Sequence, residues 1–227
     1  MILVCNDISD ILIGKVQVYN LKDYEKLSKK EKIKSIYIDT PLLSKQIDIK
    51  LFPINLVEFS IINVRINTHK LPTLPNCLEK IVCINNQLFS LPRLPDGIIT
   101  LVCMKNLIEK LPELPDSLEI IDCSKNNYLS ILPKKLPLKL LKFYCNDLKL
   151  KNLPKLPNSL IVLECNNNNL RYLPNIPKSI QIINCNFNFL EFVLEISTNA
   201  NISFTGNNFI DKDNYINKQR YLKQIIY

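Results

Sequence analysis

The chain has 227 residues, 47% of them hydrophobic, and a formal charge of +8. That apolar content excludes a largely disordered chain, and no run reaches the ~18 consecutive apolar residues of a membrane span. Fourteen prolines against three glycines and no tryptophan exclude ordinary helices and central strands at the proline sites, so the prolines must recur in phase.

In chain order, Met1-Ile2-Leu3-Val4-Cys5-Asn6-Asp7 has no basic n-region and meets Asn6 and Asp7 almost at once. A secretory signal is not expected, and the setting expected is a reducing cytoplasm, that of a host cell included. Residues 1–34 lack the proline pattern found later. They predict strands at Ile2–Cys5 and Lys15–Val18 and a short helix from the cap Asn20 to about Lys30, with acids Asp23 and Glu25 in its first turn. Ile36-Tyr37-Ile38 reads as a further strand. Residues 1–52 are thus expected to hold an N-terminal cap and the first irregular repeats.

From residue 53 to about 210 one frame recurs. Cys83, Cys103, Cys123, Cys145, Cys165 and Cys185 are separated by 20, 20, 22, 20 and 20 residues. Leu78-Glu79-Lys80-Ile81-Val82-Cys83-Ile84-Asn85-Asn86-Gln87-Leu88 aligns with Leu160-Ile161-Val162-Leu163-Glu164-Cys165-Asn166-Asn167-Asn168-Asn169-Leu170. The pattern is L-x-x-L-x-C-x-x-N-x-L. Leu56, Phe59 and Ile61 extend it upstream, and Ile202, Phe204, Asn207 and Phe209 extend it downstream. Between frames lie proline doublets such as Leu91-Pro92-Arg93-Leu94-Pro95 and Leu153-Pro154-Lys155-Leu156-Pro157.

A period near 20 with this frame predicts a leucine-rich-repeat solenoid. Ile81 and Cys83 enter the core while Val82 between them faces the concave surface. One turn cannot bury its own aliphatic residues, each worth about 1.5–3 kcal/mol, so neighbouring turns must stack. Asn86, Asn106, Asn126, Asn168, Asn188 and Asn207 are expected to satisfy buried backbone groups as a ladder, interrupted at Val64 and Leu148. The doublets predict an extended, polyproline-like convex face with few helices. Asp211 to Tyr227 drops the repeat; apolar Tyr215, Tyr221, Leu222, Ile225 and Ile226 predict a capping helix, with a partner or membrane-surface helix as its alternative.

The short period and the L-P-x-L-P segments resemble the repeats of bacterial effectors of the YopM and IpaH type. The cysteine ladder and the Asn/Ile/Lys-rich wording also resemble leucine-rich-repeat proteins of giant DNA viruses such as mimivirus. The resemblance covers roughly residues 53 to 210. It implies a pathogen- or virus-encoded interaction protein acting on host partners. IpaH-type effectors carry a separate C-terminal ubiquitin-ligase domain, and about 17 residues follow the last repeat here. The resemblance therefore implies the repeat part alone, closer to YopM.

The cysteines stand in a row, which does not suit tetrahedral zinc. Their parallel side chains on strands ~4.7–4.9 Å apart are expected to miss the Cβ spacing of a disulfide. They read as buried small hydrophobes, with Cys5 and Cys77 unassigned. His69 reads as a lone surface residue. No nucleophile elbow, metalloprotease helix, P-loop or dinucleotide fingerprint occurs, so neither an enzyme nor a cofactor or metal site is expected.

Function then rests on the concave columns. Ser60, Val82, Val102, Asp122, Tyr144, Glu164, Asn184 and Ser203 precede the cysteine position, and Ile62, Ile84, Met104, Ser124, Asn146, Asn166, Asn186 and Thr205 follow it. The N-terminal half is apolar and the C-terminal half is an asparagine field. A solvent-facing apolar cluster suggests a partner site. The predicted surface is Ile62, Val82, Ile84, Val102 and Met104, flanked by Ile99 and Ile120, with Lys105 on its rim beside Lys80, Lys125 and Lys142, and Tyr144 as an aromatic anchor. A protein partner is the expectation; the alternative is a polyanion or nucleic acid held by the lysines, which salt would weaken steeply.

Overall fold

The computed structural model describes residues 2–7, 10–13, 16–18, 34–39, 46–47, 49, 52–66, 68–192 and 200–209. Its strands are β1 (Ile2–Asp7), β2 (Asp10–Ile13), β3 (Val16–Val18), β4 (Ser35–Asp39), β5 (Gln46–Ile47), β6 (Glu58–Ile62) and β7 (Arg65–Ile66). There follow β8 (Lys80–Ile84), β9 (Thr100–Val102), β10 (Ile120–Asp122), β11 (Lys142–Tyr144), β12 (Val162–Glu164), β13 (Ile182–Asn184) and β14 (Asn201–Ser203). Twelve of them form one sheet in the order β14-β13-β12-β11-β10-β9-β8-β6-β4-β1-β2-β3.

From β1 to β14 the pairing within that sheet is parallel and advances one turn at a time. At the N-terminal end it turns antiparallel, through β1–β2 and β2–β3. The predicted strands near Ile2 and Val18 are present, and β2, which the pattern did not suggest, lies between them. No helix occurs among the described residues. The helix read near Asn20–Lys30 and the one read in residues 211–227 lie outside the described residues.

Alternation explains each strand. In β8 Ile81 and Cys83 are wholly buried, while Val82 and Ile84 are only partly covered. Leu78 and Leu88 close the same core from the flanking turns. The cysteines of all six turns are fully buried, in one continuous core with Phe59, Phe143 and the frame leucines. Burial pushes the thiols of Cys83, Cys103, Cys123 and Cys145 well above the usual range, because a thiolate there would have no water.

The expectation that no pair would bond needs correction. Cys165 and Cys185 are joined as a disulfide with Cα atoms 4.8 Å apart. Stacked parallel strands place Cα atoms within the 4.4–6.8 Å that a disulfide accepts, and side-chain rotation brings the two Sγ atoms together despite parallel strand directions. The other four rungs remain thiols.

The asparagine ladder has a definite wiring. Asn106 Nδ2 donates to the carbonyls of Cys83 (2.7 Å) and Cys103 (3.1 Å), and its Oδ1 accepts from the N–H groups of Asn86 and Leu88. Asn126, Asn168, Asn188 and Asn207 each donate in the same way to their own and the preceding turn. At Leu148 the chain of amides is broken, so among the described side-chain amides the carbonyl of Cys123 receives that of Asn126 alone. There the longer turn folds on itself, Leu129 N–H donating to the Asn126 carbonyl. At the other end Asn86 Oδ1 has no partner among the described residues. The residue that should donate to it, Ile66, lies in β7 and pairs with β5 instead.

Two residues past each core position the backbone enters the left-handed region: Asn63, Asn85, Lys105, Lys125, Asp147, Asn167 and Phe187 have φ of 53–59°, and Gly206 has 72°. Asn and Asp tolerate that region and Gly prefers it, which explains the asparagines at this column as a backbone requirement. Gly206 also lies beneath the Phe187 ring, where a Cβ would meet Cδ1 at 2.6 Å.

Cys77 gains a role as well. It stands where Ser117, Ser159 and Ser179 stand in later turns, and its thiol donates to the carbonyls of Ile54 and Leu56 as their hydroxyls donate to Ile98, Leu140 and Leu160.

Candidate interaction surfaces

The sheet carries the predicted concave columns in register. Ser60 lies opposite Val82, Ile62 opposite Ile84, and Val82 opposite Val102. Met104 follows Val102 by two residues, and its carbonyl accepts from Asn85 N–H. Ile62, Val82, Ile84, Val102 and Met104 are all partly exposed, so these five apolar side chains lie side by side over β6, β8, β9 and the turn that follows β9. Lys105 stands exposed at the left-handed turn beyond it.

Three predicted neighbours sit further off. Ile120 lies opposite Thr100 and Lys142, at the start of its strand. Ile99 is exposed before β9, its N–H bonded to Glu79. Tyr144 faces Asp122 on one side and Glu164 on the other, so Asp122 separates it from Val102. Partial burial, then these two carboxylates, raise the Tyr144 pKa above its ordinary value.

The asparagine field is already bonded to itself. Asn146 Oδ1 accepts from the N–H and Nδ2 of Asn166, Asn166 Oδ1 from Asn186 N–H, and Asn186 Oδ1 from Thr205 N–H and Ser203 Oγ, all at 2.7–2.9 Å. Asn146 Nδ2 reaches Glu164. A partner binding there would displace satisfied hydrogen bonds, whereas the apolar half has none to lose.

Two surface features escaped the sequence reading. His69 is not a lone surface residue: its ring stacks on Phe89 at 4.7 Å, and Nδ1–H donates to the Gln87 carbonyl at 2.8 Å. The second is an edge of the solenoid where the sheet turns toward the proline face. The two residues after each frame's last core position line it: Phe89-Ser90, Glu109-Lys110, Ser130-Ile131, Lys151-Asn152, Arg171-Tyr172 and Glu191-Phe192. Phe89, Ile131, Tyr172 and Phe192 are exposed there. The signal lies in the recurrence of this column down the repeat.

Parallel strands stacked at a period near 20, an internal asparagine ladder and an extended proline face, whose Lys135 and Lys155 make one isolated parallel bridge, define a leucine-rich-repeat solenoid. No protein-family model matches the chain, and no curated protein matches it. Among solved structures it is similar to YopM from Yersinia enterocolitica WA-314, at 27% identity and a TM-score of 0.70, over 80% of this chain and 39% of that one. It is likewise similar to YopM, a leucine-rich effector protein from Yersinia pestis, at 29% identity and a TM-score of 0.66, over 78% and 49% of the two chains. The short-period effector-type repeat read from the sequence is thus the repeat these structures share. The chain spans from two-fifths to about half the length of these relatives. Among the described residues no helix is long and apolar enough to cross a membrane.

Proposed function

We propose that the chain is a non-catalytic protein-interaction module that seats a partner protein on the N-terminal half of its concave face. The observation carrying this reading is the contiguous patch of Ile62, Val82, Ile84, Val102 and Met104, partly exposed on three adjacent strands and the turn that follows β9. Exposed contiguous apolar surface is costly for a protein with nothing to bind. Similarity to a leucine-rich effector protein supports the same class. On this reading the protein is a pathogen or viral product acting on host partners, with host cytoplasm as its setting. Ile99, Ile120 and Lys105 form the rim, and Tyr144 anchors a second contact beyond Asp122.

Met104→Asp puts a carboxylate in the middle of the patch, where docking would have to desolvate it. The expected result is a loss of partner capture from host lysate of more than about tenfold, a cost of 1.4 kcal/mol or more. The far-ultraviolet spectrum and melting temperature should not change, because the side chain lies outside the core. Undiminished capture of the same proteins by the variant rejects the patch.

A further inference from the structure

Charge is unevenly distributed along the solenoid. From Glu79 to Asp122 there are seven acids and four basic residues; from Lys125 to Lys178 there are ten basic residues and only Asp147 and Glu164 as acids. The second stretch lies beside the edge described above. Two open grooves run along that edge, of about 500 and 730 Å3, and they meet at Lys151 and Asn152, which line both. Lys134 and Lys149 line the first, and Arg171, Tyr172 and Phe189 the second. All four cationic side chains, Lys134, Lys149, Lys151 and Arg171, are exposed.

The aromatic groups among them are held in place. The Tyr172 ring lies 5.0 Å from that of Phe192, and its hydroxyl donates to Glu191 at 3.1 Å. Glu191 also lies 3.6 Å from Arg171, whose side chain nevertheless stays 69% exposed and open to an anion. Phe189 stands half exposed in the next turn. Asn152, Asn169 and Asn208 add amides along the same groove.

We infer that this edge binds single-stranded nucleic acid, the cations following the phosphates and Tyr172, Phe189 and Phe192 stacking on bases. A cationic groove interleaved with exposed rings is the arrangement that sequence-tolerant strand binding requires. Charge complementarity alone would also admit an acidic peptide. Such a peptide would leave the exposed rings of Tyr172, Phe189 and Phe192 unused, whereas bases stack on them. At the 4.8 Å that separates the Cα atoms of Cys165 and Cys185, the five turns from Ser130 to Asn208 span roughly 19 Å. That length takes about five stacked nucleotides at ~3.4 Å each.

Fluorescence anisotropy with a labelled twenty-residue oligouridylate tests the proposal on the full chain, with poly-glutamate as competitor. Four phosphate contacts predict a slope of about −3 for log affinity against log salt. The double variant Lys149→Glu, Lys151→Glu should bind about tenfold or more weakly and flatten the slope by about 1.4, at ~0.7 per lost contact. Tyr172→Ala should weaken binding by roughly fivefold or more and leave the slope in place, since it removes stacking and no charge. Met104→Asp, on the other face, should bind oligouridylate normally; a loss there would move the site to the concave face. No measurable binding at low salt overturns the inference. So does poly-glutamate displacing the RNA at equal charge concentration while Tyr172→Ala has no effect, which would make the groove a site for acidic peptides.

Discussion

Replacing Asn106 by alanine is expected to lower stability by about 3 to 5 kcal/mol, read from the shift in a urea unfolding curve. The side chain satisfies the Cys83 carbonyl and the N–H groups of Asn86 and Leu88 at once, and it shares the Cys103 carbonyl with Asn126. Each buried backbone group left without a partner costs ~1–3 kcal/mol, and alanine brings nothing to replace them. The fitting control is Asn86→Ala. That amide donates to Val64 alone at 3.1 Å, and its Oδ1 accepts nothing among the described residues. Its loss should cost about 1–2 kcal/mol on the same scale. Equal effects at the two positions would show that the amide chain is not what binds turn to turn.

The second large effect is alkaline destabilisation. Burial raises the folded pKa of Cys83, Cys103, Cys123 and Cys145, while the unfolded chain ionises them near 8.5. Below that pH both states hold the protons and stability does not depend on these groups. Above it the unfolded state releases protons that the folded state keeps, so stability falls as pH rises. While the folded thiols stay protonated, each loses ~1.4 kcal/mol per pH unit above 8.5, or about 2 kcal/mol at pH 10. Four such groups together rival the 5–15 kcal/mol that holds a typical domain. Urea unfolding at pH 7.5, 8.5 and 10 should show a flat stretch and then a steep decline, made shallower by Cys103→Ala. A midpoint unchanged to pH 10 would mean that the thiols reach solvent in the folded protein.

Much of this architecture is legible in the residues because a solenoid repeats its environment. Once Cys83, Cys103 and Cys123 set the period, Leu78, Ile81 and Leu88 can only be core, Val82 and Ile84 can only be concave, and the break at Leu148 follows from a missing amide. What escaped is what does not repeat or does not follow strand alternation. Cys165 and Cys185 occupy the same frame position as the four free thiols, so the spacing does not single them out as a bonded pair. The left-handed turn at Asn85, Lys105 and Phe187 takes the chain out of two-residue alternation. Beyond it, positions such as Lys151 and Tyr172 must be assigned to the edge by a column of their own. His69 meets Phe89 from a different column of the frame, because the turn that holds His69 is two residues longer than the one after it, so the frame did not pair them. On the concave face the patch from Ile62 to Met104 was readable, and the isolation of Tyr144 behind Asp122 required the strand register.

The gap at Leu148 divides the stack. Coupling in such a fold passes only between adjacent turns, and between the Cys83 turn and the Phe204 turn the link from the Cys123 turn to the Cys145 turn is the one that lacks its internal amide strut. Native-state hydrogen exchange should accordingly resolve two cooperative blocks that open separately. The apolar concave patch belongs to the first block, whereas the groove straddles the gap, Ser130 to Lys134 on the first block and Lys149 to Phe189 on the second, so a strand bound along it would brace the two blocks against opening separately.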